Sequence, residues 1–337
     1  MSRIDPKLLI LTALAIVFTV ALTFATLEAP RAINFILRTL FPDHGIGESE
    51  LIEEFLRYVR PIGYACLLAV IALIVVGFIT RKGTLSSLGS LAFFLPTFGY
   101  FAFSMFFLAG VGILRVLWIP FWDSSTNILK LGDIIYLLYM IIVYPLALMR
   151  VEIRVNLASL ATGAGLLIFF LGAITWFYGK LTKREIIDFW IYKYSRHPQY
   201  LGYLIWSYGV MLLASLSIFP RGGYNPAPSL PWLISALIVT GVALREEIQM
   251  AEKHDEKYLK YQHDAPFMIP LPKLISKAIT TPTRLLFKKG LPENNKQIII
   301  TLAVHGLMLI IISLPFPLLD WPPGLGWYAW PWNTLPL

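Results

Sequence analysis

Eight apolar stretches, most of them near the length that crosses a bilayer, dominate this sequence and limit what it can fold into. They run from about Leu8 to Thr26, Pro61 to Thr80, Leu91 to Leu114, Gly132 to Leu148, Leu157 to Tyr178, Tyr200 to Ile218, Pro231 to Leu244 and Gln297 to Leu314. A helix needs about 20 mainly apolar residues to span the hydrocarbon core. Within that core each backbone N–H and C=O must be satisfied inside its own element. The expected fold class is therefore all-α: a polytopic membrane protein with about eight transmembrane helices. Only 14% of the residues are charged, against about 25% in globular chains, so a soluble domain is excluded.

The first stretch is long for a signal-peptide core, and Leu27-Glu28-Ala29-Pro30 makes a poor small-x-small cleavage site, so it reads as a retained span. Between the first two stretches, Arg31–Arg60 carries Ile33, Ile36, Leu37 and Leu40 at helical spacing, as expected of a segment lying in the interface plane. Pro96 should kink the third span. The tail, Pro315–Leu337, holds Trp321, Trp327, Trp330 and Trp332 and reads as an interfacial cap. Three regions follow: an N-terminal transmembrane region over 1–156, a membrane core with a cofactor site over 157–275, and a C-terminal span and tail over 276–337.

The net charge of +8 does not point to nucleic acid, because the basic residues lie in loops between spans. Most of the 28 Lys and Arg residues fall in segments that are cytoplasmic if the N-terminus is outside, which sets the expected orientation. The single cysteine, Cys66, lies in an apolar run and reads as a small buried hydrophobe. His254 and His263 lack metal spacing, so no metal is expected. Gly179-Lys180-Leu181-Thr182 lacks the phosphate-loop spacing, and Gly163-Ala164-Gly165 reads as small-residue helix packing.

Chemistry concentrates in two clusters at the ends of one membrane hairpin. The first is Arg196-His197-Pro198-Gln199-Tyr200-Leu201-Gly202. Pro198 suits the first turn of a helix, which puts His197 near the cap and leaves free N–H groups and the positive end of the helix dipole beside Arg196. Gly202 would let a helix or a ligand come close. The second is Arg245-Glu246-Glu247, followed by Met250, His254, Tyr258 and Tyr261 on one face and by Phe267-Met268-Ile269-Pro270. Adjacent acids at a membrane boundary are costly unless paired or solvated. One is expected to accept hydrogen bonds from a ligand while the other pairs with Arg245 or Lys193. A helix with this stripe is expected to fold back over a pocket at the membrane surface.

These clusters, together with Tyr192-Lys193-Tyr194-Ser195 before the first, Pro266 after the second and the upstream span Gly165–Trp176, resemble the membrane methyltransferase superfamily. It includes isoprenylcysteine carboxyl methyltransferases and phospholipid N-methyltransferases. Trp190-Ile191 stands where the family often carries a glycine. The resemblance covers roughly Leu157 to Pro270. It implies a C-terminal methyltransferase-like helical hairpin, S-adenosylmethionine as cofactor, and a cofactor pocket facing the cytoplasm. It also implies a membrane lipid or lipidated acceptor, of the prenylcysteine carboxylate or phospholipid amine class. By the same pattern Tyr194, Arg196, His197, Pro198, Tyr200, Gly202, Glu246 and Glu247 would line the cofactor site, with Arg196 and Glu247 as the catalytic pair. Two alternatives remain: an NADPH-dependent sterol- or steroid-type reductase, and a non-enzymatic membrane protein on the same scaffold. Sterol reductases typically carry Asn where this chain has Gln199.

Overall fold

The structure, a computed structural model, describes residues 6–37, 39, 49–80, 84, 119–124, 126–216 and 229–318. Among them all regular structure is helical. The helices are α1 (Pro6–Leu37), α2 (Ser49–Ile79), α3 (Ile119–Ser124), α4 (Tyr136–Leu148), α5 (Arg154–Leu181), α6 (Pro198–Leu216), α7 (Ser229–Asp264), α8 (Lys273–Phe287), α9 (Asn295–Ser313) and the short α10 (Pro315–Leu318). Tighter 3₁₀ segments cover Thr126–Ile135 and Trp190–Lys193. Five segments among the described residues are long and apolar enough to cross a membrane: Pro6–Thr26, Leu56–Ile79, Leu131–Leu148, Arg154–Leu181 and Asn295–Ser313. The chain is a polytopic all-α membrane protein.

Five of the eight expected spans thus have direct counterparts. The sixth and seventh correspond to α6 and α7, which are helical but fall outside that set of five. α6 opens on Pro198, Gln199 and Tyr200, and α7 turns charged from Arg245 onward. The third span with Pro96 and the tail residues 319–337 lie outside the described residues. The expected in-plane stretch Arg31–Arg60 is resolved differently at its ends: residues 31–37 continue α1, and residues 49–60 form the first turns of α2.

The chain divides into two compact units. One comprises Met1–Ala25, Leu160–Gly209 and Val239–Val304; the other comprises Thr26–Ser159, Val210–Ile238 and His305–Leu337.

The first unit is organised by glycines that bring α5 and α6 into backbone contact. A Cβ on Gly165 would collide with the backbone of Trp206, one on Gly202 with Phe169, and one on Gly209 with Thr162. A Cβ on Gly172 would lie 2.9 Å from the Cγ of Gln199. Residue numbers rise along one helix as they fall along the other, so the pair is antiparallel. The small residues recur every two turns on each helix, which keeps them on the shared seam. Gly163 faces open space, so of the Gly163-Ala164-Gly165 trio it is Gly165 that packs. From α1, the Phe18 ring lies 5.8 Å from the rings of both Phe169 and Phe177.

α5 ends in a Schellman motif. The Arg184 N–H donates to the Gly179 carbonyl (2.9 Å) and the Lys183 N–H to the Lys180 carbonyl (3.1 Å), with Lys183 left-handed at φ 53°. Gly179 belongs to this turn, where Ile187 lies directly against it.

In the second unit, Ser229 at the start of α7 is hydrogen-bonded to Asp133, and Gly132 sits against the backbone of Leu230. Arg60 of α2 holds Asp123 of α3 with two hydrogen bonds, of 2.7 and 3.0 Å.

Candidate functional site

A helix from Glu247 to Tyr258 would carry the two residues about 16 Å apart at 1.5 Å per residue. Instead the Tyr258 hydroxyl donates to Glu247 Oε1 at 2.7 Å. The chain achieves this by reversing at Asp255, whose backbone leaves the helical region (φ 41°, ψ −126°). α7 is therefore an outgoing limb and a short returning limb. The return is held by apolar contact: Tyr258, Tyr261 and Ala265 form a buried cluster against which Met250, Ala251 and Ile186 pack.

This reversal closes a buried polar cluster around the start of α6. Pro198 occupies the first turn, and the Leu201 N–H donates to the His197 carbonyl at 2.9 Å. Just before that turn, Arg196 forms a fork with Glu247: Nε to Oε1 at 3.0 Å and Nη2 to Oε2 at 2.8 Å. The two residues are 51 positions apart and both side chains are buried. The remaining guanidinium nitrogen, Nη1, donates to the carbonyls of Gln262 (2.7 Å) and Ala265. Arg196 thereby caps the C-terminal end of the returning limb. Its own backbone N–H donates to the Pro266 carbonyl at 3.0 Å.

Glu247 accepts three further hydrogen bonds, from His197 Nε2 (2.8 Å), the Tyr258 hydroxyl and Gln262 Nε2 (2.9 Å). Since a carboxylate only accepts, the His197 proton sits on Nε2. Burial pushes the Glu247 carboxyl up, but the His197 hydrogen bond and the Arg196 charge outweigh it and bring the carboxyl down to about 2. Glu247 is therefore an anion at every physiological pH. Burial, reinforced by the adjoining Glu247 charge, pushes the Tyr258 hydroxyl well above its ordinary value, so it stays protonated and donates.

Glu246, one residue away and about 100° round the helix, has a different environment. Its side chain is 46% exposed, it accepts from the Tyr200 hydroxyl at 2.6 Å, and its Oε2 is 3.7 Å from His197 Nδ1. The ring of His197 stacks on Tyr200 (5.7 Å) and meets the edge of Phe267 (5.2 Å), while the Arg196 guanidinium lies 5.9 Å from the Phe267 ring.

The structure thus brings together Arg196, His197, Tyr200, Glu246 and Glu247. Two expected site residues are elsewhere. Tyr194 caps the end of the 3₁₀ turn and is 69% exposed. Gly202 serves the α5–α6 seam, where the Phe169 backbone lies directly against it. The acid expected to pair with Arg245 or Lys193 takes Arg196 instead, because the start of α6 reaches Glu247, while Lys193 lines a separate cavity. The expected fold-back is present, and it uses Tyr258 directly and Tyr261 through a hydrogen bond to the Tyr192 carbonyl (2.8 Å). Gln262 and the Ala265 carbonyl were not anticipated. The signal for Gln262 was its position one turn after Tyr258.

Two cavities flank the returning limb on opposite faces. One, of about 540 Å³, is bordered by Glu247, Gln262, Ile248, Ala251 and the Lys289–Glu293 turn. The other, of about 680 Å³, carries Lys183, Arg184, Lys193, Lys257 and Lys260 beside Glu185, Asp188 and Asp264. Among the described residues no group of three His, Cys, Asp or Glu side chains is placed to hold a metal ion.

A family described as a protein of unknown function (DUF1295) matches residues 135–265, a stretch that contains Arg196, His197, Tyr200, Glu246, Glu247, Tyr258 and Gln262. No curated protein and no solved structure matches the chain.

Proposed function

We propose that this protein is an S-adenosylmethionine-dependent methyltransferase acting on a lipid or lipidated acceptor held in the membrane. The observation that carries the reading is the Arg196–Glu247 fork, which joins the start of α6 to the end of the outgoing limb of α7 and leaves Glu246 half open beside Tyr200 and His197. The fit to this cofactor is chemical. Glu246 has acceptor capacity for hydroxyl or amino groups, and the Tyr200 and His197 rings offer faces to a cation or a flat base. A cavity of about 540 Å³, of small-molecule size, borders the cluster at Glu247 and Gln262 rather than at Glu246.

When bound, S-adenosylmethionine supplies an electrophilic methyl group, which bonds to a lone pair of the acceptor as the S–C pair returns to sulfur. Glu246, Tyr200 and His197 would hold the cofactor. Arg196 and Glu247 satisfy each other and act as positioning residues. Fixing donor and acceptor in line supplies much of the rate in such displacements. A carboxylate acceptor needs no base; an amine acceptor gives up one proton. The acceptor would enter from the bilayer and the cofactor from the cytoplasm.

One observation favours a second reading, an NADPH-dependent reductase: the five basic side chains of the larger cavity suit a phosphate-bearing dinucleotide. Separate titrations of S-adenosylmethionine and NADPH into the purified protein distinguish the two. The expected result is saturable S-adenosylmethionine binding, weakened roughly tenfold or more in Glu246→Gln by the loss of charge-assisted hydrogen bonds. Binding of NADPH alone would move the protein to the reductases. Binding of neither would leave a non-enzymatic role.

A further inference from the structure

We infer that α8 is an in-plane anchor that docks on an anionic membrane leaflet, with phospholipid headgroups and upper acyl chains as its partner. The helix has 15 residues, about 22 Å at 1.5 Å per residue, too short to span a bilayer. At about 100° per residue, Lys273, Lys277 and Arg284 fall within about 40° of one another. Leu274, Ile275, Ile279, Leu285 and Leu286 cover the broad opposite side. On that side Leu274 is 80% exposed and Leu285 79%, and Ile275 and Leu286 are about half exposed. Thr283, between the two faces, is buried and hydrogen-bonds to the Gly290 carbonyl (3.3 Å) in the turn that follows, so the buried position on this helix lies off its apolar face.

The partner follows from charge and position. Lys288 follows in the left-handed turn that ends the helix, Lys289 pairs with Glu293, and no acid occurs between Asp264 and Glu293. Such acid-free basic segments next to a span are drawn to anionic leaflets. The membrane-crossing helix α9 begins at Asn295, so α8 is tethered at the bilayer surface by a single short turn. A helix lying in that plane sinks its leucines into the acyl boundary while its lysines reach up to phosphates. A second copy docking through this face would bring two acid-free basic segments together, which disfavours it. The turn between α8 and α9, Lys289–Glu293, also walls the cavity at Glu247 and Gln262. Seating α8 on the leaflet therefore fixes one wall of that cavity.

The test uses the full chain with Cys66→Ser, reconstituted in nanodiscs of phosphatidylcholine with or without phosphatidylglycerol. A fluorophore is placed in turn at Leu274→Cys, Leu285→Cys and Lys277→Cys. The expected result is quenching at 274 and 285 by nitroxides on lipid chains and at 277 by aqueous iodide. With phosphatidylglycerol present the lipid-chain quenching at 274 and 285 should rise severalfold, and Lys273→Gln/Lys277→Gln/Arg284→Gln, probed at 274 and 285, should remove that rise. Iodide access at 274 equal to that at 277 in both membranes overturns the proposal. So does shielding of 274 from both quenchers, which would mean that protein covers the face. Equal seating in both lipids overturns the anionic preference. Amide exchange of the unmodified chain repeats the comparison: α8 should be protected more in anionic discs than in neutral ones, and equal protection counts against it.

Discussion

Replacing Glu247 with glutamine tests the central claim that the Arg196–Glu247 fork holds the site together. Glutamine keeps the shape but removes the charge, leaving a guanidinium whose side chain is 3% exposed without its counter-ion. Breaking a buried pair by removing one partner costs about 3–5 kcal/mol, because the other charge stays buried. The carboxyl's own displacement gives a similar figure. A group moved from 4.5 to about 2 contributes roughly 3 kcal/mol at neutral pH. The sign follows from the lowered value: the contribution is complete above about 4.5 and is lost as pH falls toward 2. Thermal unfolding of the purified protein, followed by tryptophan fluorescence from pH 7 down to pH 3, reads both effects. Glu247→Gln should be destabilised at pH 7 and should lack the part of the acid-induced loss that the wild type shows below about 4.5. In a double-mutant cycle, Arg196→Met should cost much less in the Glu247→Gln background than in the wild type. A cost below about 1 kcal/mol at pH 7, or an unchanged acid slope, would refute the reasoning.

Gly202→Ala should destabilise by about 1–3 kcal/mol, because its Cβ meets the Phe169 backbone on the α5–α6 seam rather than a movable side chain; Gly163→Ala, facing open space, serves as the control in the same melt. Asp255→Gly should leave the fold-back intact and raise stability modestly, since a positive φ costs an L-residue about 1–3 kcal/mol that glycine largely avoids. Asp255→Val should lower stability and make the 255–265 region protease-sensitive. Lys183→Gly at the left-handed end of α5 should stabilise by about 1 kcal/mol, as judged by the melting midpoint.

The helical class and the positions of most spans were legible because apolar runs of bilayer length have one solution in lipid. The Pro198 helix start was also legible, since proline's missing N–H costs nothing in a first turn, although Pro61, Pro145 and Pro282 lie inside helices. The two charged clusters could be assigned to one site from their places at the ends of a hairpin. The partners within it were harder to foresee. Glu247 finds Gln262 and Tyr258 only because the chain reverses at Asp255, a residue with no Gly or Pro beside it to announce a turn. What drives the reversal is the packing of Tyr258 and Tyr261 on Met250 and Ala251, a tertiary effect that local propensity does not carry. Gly202 was open to two readings for a related reason. A glycine that admits a ligand and one that admits a neighbouring helix look the same in sequence, and only the partner Phe169 distinguishes them.

Adjacent glutamates on one helix ordinarily invite a single explanation, yet here their surroundings divide them. Glu247 accepts from Arg196 twice, and from His197, Tyr258 and Gln262, so both oxygens are committed and an added ligand would have to displace a partner. Glu246 has one close donor, Tyr200, and nearly half its side chain in the open. The buried acid fixes where the start of α6 sits relative to the outgoing limb of α7, and thereby places Tyr200 and His197 beside the open acid. His197 touches both, with Nε2 on Glu247 and Nδ1 toward Glu246. A cation bound at Glu246 would therefore lie beside the same imidazole that donates to Glu247. Under the proposed reading, ligand binding at the open edge would be coupled to the integrity of the fold-back through that one ring.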